Sequence, residues 1–219
     1  MNSVDETVGD FFSEDLLKEA RDITFDVIKA VSKKITPGMN EQDGKILLKN
    51  FLKEFGIEKQ WHPAQIRFGS NTVLPFGEKG DPGIVLKEND LFFFDLGLIY
   101  HDHEGDVGRP FVLGSDSEMN RCCKDVEEIW GEVRNYWKEN NASGSELYSF
   151  AQKCAKKRDW ILNLKKANGH RIADFPHSAR SRGSIEAFEE KPASNRWILE
   201  IQICHPDRRW GAFFEDLLN

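Results

Sequence analysis

From Ser13 to Thr36 the apolar residues Leu16, Leu17, Ala20, Ile23, Phe25, Val27, Ile28 and Val31 recur mostly at three- and four-residue spacing. That period predicts an amphipathic helix, with Ser13 as its N-cap ahead of Glu14 and Asp15. Thr36-Pro37-Gly38 ends it. A second helix is expected from about Asn40 to Phe55, with Ile46, Leu47, Phe51 and Leu52 on one face and Gly56 closing it. After Gly56 the pattern changes to short β-type runs, Gln65 to Phe68, Ile84 to Leu86, Leu91 to Tyr100 and Val107 to Val112, with turn residues between them. Helical periodicity returns from Asp116 to Lys138 and from Ser145 to Lys157. The last part, Trp197 to Cys204 and Trp210 to Leu218, reads as a hairpin around His205-Pro206-Asp207. This order fits an α+β fold with a mixed, mostly antiparallel sheet and helices packed on one side. Neither a linker nor a repeat interrupts the pattern, so residues 1–219 are expected to form a single domain, with 1–12 as a loosely ordered arm.

Composition narrows the class. A chain of 219 residues, 39% hydrophobic, can bury roughly 70% of its unfolded surface, so it needs no disulfide to have a core. Lys and Arg number 30 against 37 Asp and Glu, a net charge of -7, which disfavours a nucleic-acid partner. The longest apolar run, Leu91 to Phe94, is broken by Asp95, so no membrane span is expected. The acidic start, Met1 to Asp10, lacks the regions of a secretory signal, and Cys122, Cys123, Cys154 and Cys204 show no CxxC spacing. Reduced thiols and a cytoplasmic location are the expectation.

The candidate chemistry lies where acids interrupt apolar strands. Asp95 sits inside LFFFDLGLIY, and a carboxylate in a buried strand costs several kcal/mol unless it is paired or bound to a metal. Asp106 follows eleven residues later. A hairpin centred near Tyr100-His101 would set the two almost directly opposite, on one face, where two anions repel unless a cation lies between them. The alternative makes Asp106 a turn residue beside Gly105 and Gly108. Glu200 in WILEIQI and Glu215 in WGAFFEDLL repeat the pattern around the Pro-Asp turn, and His170 adds an imidazole. Four carboxylates and one nitrogen suit a pair of divalent ions, Mn, Fe, Co or Zn, better than a structural zinc. His101-Asp102-His103-Glu104 has a metal-like composition, but its place at a hairpin tip favours a solvated turn, with substrate contact from His101 or His103 as the alternative. Trp130, Trp137 and Trp160 fall in helical patterns, as core or interface residues rather than cofactor stackers. Arg208 or Arg209 could stand near a site entrance.

These segments, in order through most of the chain, resemble the pita-bread metallopeptidases, the family of methionine aminopeptidase, aminopeptidase P, prolidase and creatinase. ARDITFDVIKAVSKKITPGMNEQD is similar to the family's first helix and Pro-Gly-Met-x-Glu turn, and LKENDLFFFDLGLIYHDHEGDVGRPFVLG to its central hairpin. NGHRIADFPH resembles its Gly-His segment, and ILEIQI and GAFFEDL its two Glu strands. The resemblance implies two metal ions, with Asp95 on one, Asp106 and Glu215 bridging, and His170 and Glu200 completing the other. It further implies hydrolysis of a peptide or amide-like C–N bond by a metal-bridging hydroxide, with Glu200 as proton shuttle. His177 resembles the family's second active-site His, which helps to hold the scissile carbonyl or the tetrahedral intermediate; an exposed loop His is the alternative.

The chain also departs from the pattern. Phe76 stands where the peptidases usually carry a His, and would line an apolar pocket instead. Phe213 replaces the Arg of proline-specific members, and position 166 is Lys where those enzymes have an additional His. Arg171-Ile172-Ala173-Asp174 is less glycine-rich than usual. Two alternatives therefore stand beside a peptidase acting on a small peptide or amide-like substrate. One keeps the metals for another C–N bond or for redox chemistry, and the other is an inactive pita-bread binding module. A homodimer is compatible with either.

Overall fold

The computed structural model describes residues 6–165, 167–179, 182–207 and 209–219. Positions 166 and 208, both singled out in the sequence, lie outside the described residues. Helix α1 (Glu14–Ser32) is capped by the Ser13 side chain, and α2 (Glu41–Glu54) by a reciprocal pair of bonds between Asn40 and Asp43. Then come β1 (Gln65–Phe68), β2 (Asp90–Tyr100), β3 (His103–Leu113), α3 (Ser117–Glu139) and α4 (Gly144–Lys156). Two short strands, β4 (Ile161–Leu162) and β5 (His170–Arg171), precede the closing hairpin of β6 (Trp197–Cys204) and β7 (Gly211–Leu217). The strands form one antiparallel sheet in the order β1-β2-β3-β7-β6-β4, with β5 also paired to β6. No helix among the described residues is long and apolar enough to cross a membrane.

Period-two alternation divides the sheet into two faces. On β2 and β3 one face carries Phe94, Leu96, Leu98 and Val107, packed with Val27, Ile28 and Val31 of α1. On β6 and β7 the same face carries Leu199, Ile201, Ile203, Ala212 and Phe214, packed with Trp130, Trp137 and Trp160 and the apolar stripes of α3 and α4. The helices cover this face. Behind β7, Asp216 accepts from Arg21 of α1 and Arg109 of β3, tying the first helix to the sheet. At Gly105 a Cβ would stand 2.1 Å from the Ala20 carbonyl oxygen, so the close approach of α1 to the sheet needs glycine there.

Several expectations change. The buried stripe of α2 is Gly44, Leu48 and Leu52, each one turn apart, while Ile46 is 52% exposed on the outer side. Residues 84–86 form no strand; Val85 makes an isolated bridge to Asn40, and Leu86 exchanges backbone bonds with Gly38 and Met39 ahead of α2. The central hairpin turns at His101-Asp102, both at positive φ, so Tyr100 pairs with His103. This moves the pairing by two residues: Asp95 faces Gly108 and Asp106 faces Gly97. The two acids are diagonal rather than opposite, yet an even shift keeps them on one face. Of the stretch expected to be a loose arm, residues 6–12 are anchored. Glu6 is buried and accepts from Trp197 Nε1, and the Gly9 amide donates to Asp174.

Candidate metal centre

The sheet face away from the helices carries the acids. Pairing of Gly108 with Glu215 joins the two hairpins, so Asp95, Gly108, Glu215 and Glu200 form one row across β2, β3, β7 and β6. Asp106 lies two residues along β3 on the same face. The sequence placed all four acids on strands, and the structure brings them together with His170 around one cavity of about 340 Å³. Asp106 is thus a strand residue, not a turn residue. Two glycines open this floor. A Cβ at Gly108 would lie 2.8 Å from Glu215 Cγ, and one at Gly97 would lie 2.1 Å from the His62 ring.

Asp106 is the hub. Its Oδ2 is 2.9 Å from His170 Nε2, and its Oδ1 is 3.3 Å from His62 Nε2, which also stands 3.5 Å from Asp95 Oδ1. His170 Nε2 is 3.9 Å from Glu200 Oε1, and the Gly169 amide donates to Glu200 Oε2 at 2.8 Å. Burial opposes charge on His62, but Asp95 and Asp106 outweigh it and push the imidazole up to about 9. Burial likewise opposes charge on His170, and its bond to Asp106, with Glu200 beyond, pushes it up to about 9. Burial would raise Asp106, yet the two imidazoles hold it below the usual carboxylate range. Burial and the neighbouring acids push Glu215 well above that range, and burial chiefly raises Asp95 and Glu200.

The donor set fits divalent metal. Asp106, His170 and Glu215 each present a ligand atom within 4.8 Å of the others, as do His62, Asp95 and Asp106. Glu215 is 1% exposed, and its Oε1 has no hydrogen-bond partner among the described residues. A buried carboxylate oxygen without a donor is costly, and a cation is the partner this oxygen-rich setting supplies room for.

The surrounding shell differs in part from expectation. His177 is buried, not an exposed loop residue: Glu104 accepts from its backbone amide and pairs with Nδ1. Its ring lies 6.1 Å from that of His170 and 5.0 Å from that of Trp61. Phe76 lines the cavity, edge-on to His62 at 5.6 Å. Phe76, Phe93 and Phe213 also line an adjoining small pocket that reaches Asp95 and Glu200. His101 and His103 are not among the residues lining the metal cavity. His101 is exposed at the turn, and buried His103 accepts from the Ser13 amide, because the turn sits one residue later than expected and β3 begins at His103. Arg209 lines a separate cleft with Asp90 and Trp210. A larger cleft, about 810 Å³, lies along α2 and contains none of the site acids.

Trp61 and His62 were not legible as site residues, since they lie in an irregular segment without periodicity. Gly97 is the signal that could have found them. A glycine inside an apolar strand marks a close approach, and here both side chains lie over it. Trp61 Nε1 is buried with no acceptor among the described residues, which makes it a donor available at the cavity wall.

Comparison with known proteins agrees with this architecture. The sequence model described as metallopeptidase family M24 matches residues 15–218. An uncharacterized peptidase of Staphylococcus epidermidis is 27% identical over 81 residues, 37% of this chain and 22% of that protein. The matched stretch therefore spans under a quarter of that relative. Among solved structures, the X-Pro aminopeptidase from Thermotoga maritima superposes with a TM-score of 0.73 at 20% identity, covering 92% of this chain and 56% of that one. The prolidase from Pyrococcus horikoshii gives 0.73 at 22%, covering 93% and 57%. The methionine aminopeptidase from Thermotoga maritima gives 0.70 at 14%, covering 92% and 90%. These likenesses show the pita-bread fold.

Proposed function

The chain belongs to metallopeptidase family M24, and from that premise we propose that it is a hydrolase that holds two divalent ions and cleaves the C–N bond of a small peptide or amide. The observation that supports this most is the convergence of four strand-borne carboxylates and His170 on one cavity, with a buried Glu215 oxygen left without a donor. Asp95 would hold one ion, Asp106 and Glu215 would stand between the two, and His170 and Glu200 would complete the second. Mn, Fe, Co and Zn all suit this set. Such ions activate water near neutral pH and polarise a scissile carbonyl.

The chain's own residues supply the rest. Glu200 is the most exposed of the four acids, its side chain 12% accessible against 1% for Asp106, so it can exchange a proton with solvent and pass it to the leaving nitrogen. Gly169 fixes one of its oxygens. Glu104 fixes the His177 ring 6.1 Å from that of His170, just behind the residues that line the cavity, which supports a role for that imidazole in holding the substrate carbonyl. Trp61 Nε1 offers a further donor at the wall. Phe76 contributes an apolar wall to the cavity beside His62, which supports a substrate with an apolar group on that side.

Phe76 also favours a second reading, in which the ions are kept and the substrate is an amide other than a dipeptide. It presents an apolar wall where a proton-handling group would serve peptide cleavage. The test is a screen of dipeptides and unblocked amides with protein loaded with Mn, Co or Fe. Turnover of one class, lost in Glu200→Gln, is expected. No turnover of any substrate by protein retaining two ions would overturn the hydrolase reading.

A further inference from the structure

His62 reaches the site by a route independent of the acid-bearing strands. Residues 59–61 run beside β2, with the Trp61 amide bonded to the Gly97 carbonyl and the Ile99 amide to the Lys59 carbonyl. At β1 the chain rejoins β2, where Gln65 pairs with Asp95. Between these two anchored stretches the chain leaves regular pairing, and the His62 ring lies over Gly97. A Cβ there would stand 2.3 Å from His62 Nε2, so only glycine leaves the ring this place.

The two imidazoles are held in the same way on either side of Asp106. His62 Nδ1 is 3.1 Å from the Pro63 carbonyl, and His170 Nδ1 is 2.7 Å from the Arg171 carbonyl. A carbonyl only accepts, so each Nδ1 carries a proton and each Nε2 is turned to the acids. A ring held at Nδ1 by a backbone carbonyl, with Nε2 facing the site, is the orientation that metal-binding histidines use, Nε2 giving up its proton to the metal. One Asp106 oxygen faces each Nε2: Oδ1 at 3.3 Å from His62 and Oδ2 at 2.9 Å from His170. His62 Nε2 is also 3.5 Å from Asp95 Oδ1, and these three ligand atoms lie within 4.8 Å of one another.

Building on the dinuclear reading above, we propose that His62 is a sixth protein ligand, its Nε2 joining Asp95 and Asp106 on the first ion as His170 Nε2 joins Asp106 on the second. Each ion then has one imidazole. A nitrogen donor in place of a wholly oxygen set shifts the first site away from Mn²⁺ and towards Zn²⁺ and Co²⁺.

The test uses the full chain and Zn²⁺ or Mn²⁺ alone, in two measurements. In histidine-labelled wild type, Zn²⁺ should produce the large coordination shift at two ring Nε2 resonances, one of them absent from the spectrum of His62→Ala. Competition titration of His62→Ala should show one Zn²⁺ site weakened by about tenfold or more, with Mn²⁺ affinity at that site changed much less. A single shifted ring, with two ions bound, would overturn the role of His62 while leaving the dinuclear reading intact. Unchanged Zn²⁺ affinity in a folded His62→Ala would do the same. No bound ion in wild type would remove both. The wild-type spectrum decides the matter through the count of shifted rings even where the variant does not fold.

Discussion

Single side chains carry the site, and Asp106 and Glu215 show how. Each is about 1% exposed in the middle of a sheet, and Asp106 contacts both imidazoles while Glu215 keeps an oxygen with no donor among the described residues. Glu215→Gln keeps the shape and resembles the protonated acid that burial and the neighbouring carboxylates favour when no metal is bound. Its stability in chelator should therefore stay within about 1 kcal/mol of wild type, while the rise in melting temperature on adding metal disappears. Thermal scans with and without Mn²⁺ check this, and an undiminished metal-dependent rise would remove Glu215 from the ligand set. The acids were legible in the sequence because each one breaks an apolar strand, which is a local and costly event. His62 was not, since its role depends on a glycine 35 positions away and on no pattern of its own.

The elements position these side chains through register. Gln65 to Phe68 and Trp197 to Cys204 form strands at the expected bounds, and the helices fall within a few residues of theirs, because periodicity and caps are local signals. The central hairpin turned one residue later than expected, since His101 and Asp102 both adopt positive φ in a two-residue turn, a backbone choice that composition does not announce. Face assignment survived because the shift is even. His103 and Glu104, expected at a solvated tip, became buried strand residues for the same reason, and Glu104 thereby reaches His177. Behind the site, Asp216 joins Arg21 of α1 to Arg109 of β3, and Arg109 also donates to the Glu215 carbonyl. Asp216→Asn would leave two guanidinium groups poorly compensated, at a cost of about 3 kcal/mol. Chemical denaturation of the two proteins in chelator measures that cost directly. A change under about 0.5 kcal/mol would mean that α1 is docked by its apolar face alone.

Across the whole molecule, the decisive contact is the one between hairpins. Pairing of Gly108 with Glu215 places acids separated by more than a hundred residues in a single row, and no local pattern specifies it. The resemblance supplied that arrangement, and the family match over residues 15–218 and the superposition on M24 structures bear out the fold. Two imidazoles offset only part of a cluster of four buried carboxylates, and the Glu215 oxygen without a donor is left for a cation to satisfy. The most direct test is elemental analysis of the full chain after loading with Mn²⁺ or Co²⁺ and removal of free ions by gel filtration. Two ions per chain are expected, falling below two in Asp106→Ala. A wild-type chain that retains none under either loading, with the same melting temperature in metal and in chelator, would contradict the dinuclear centre.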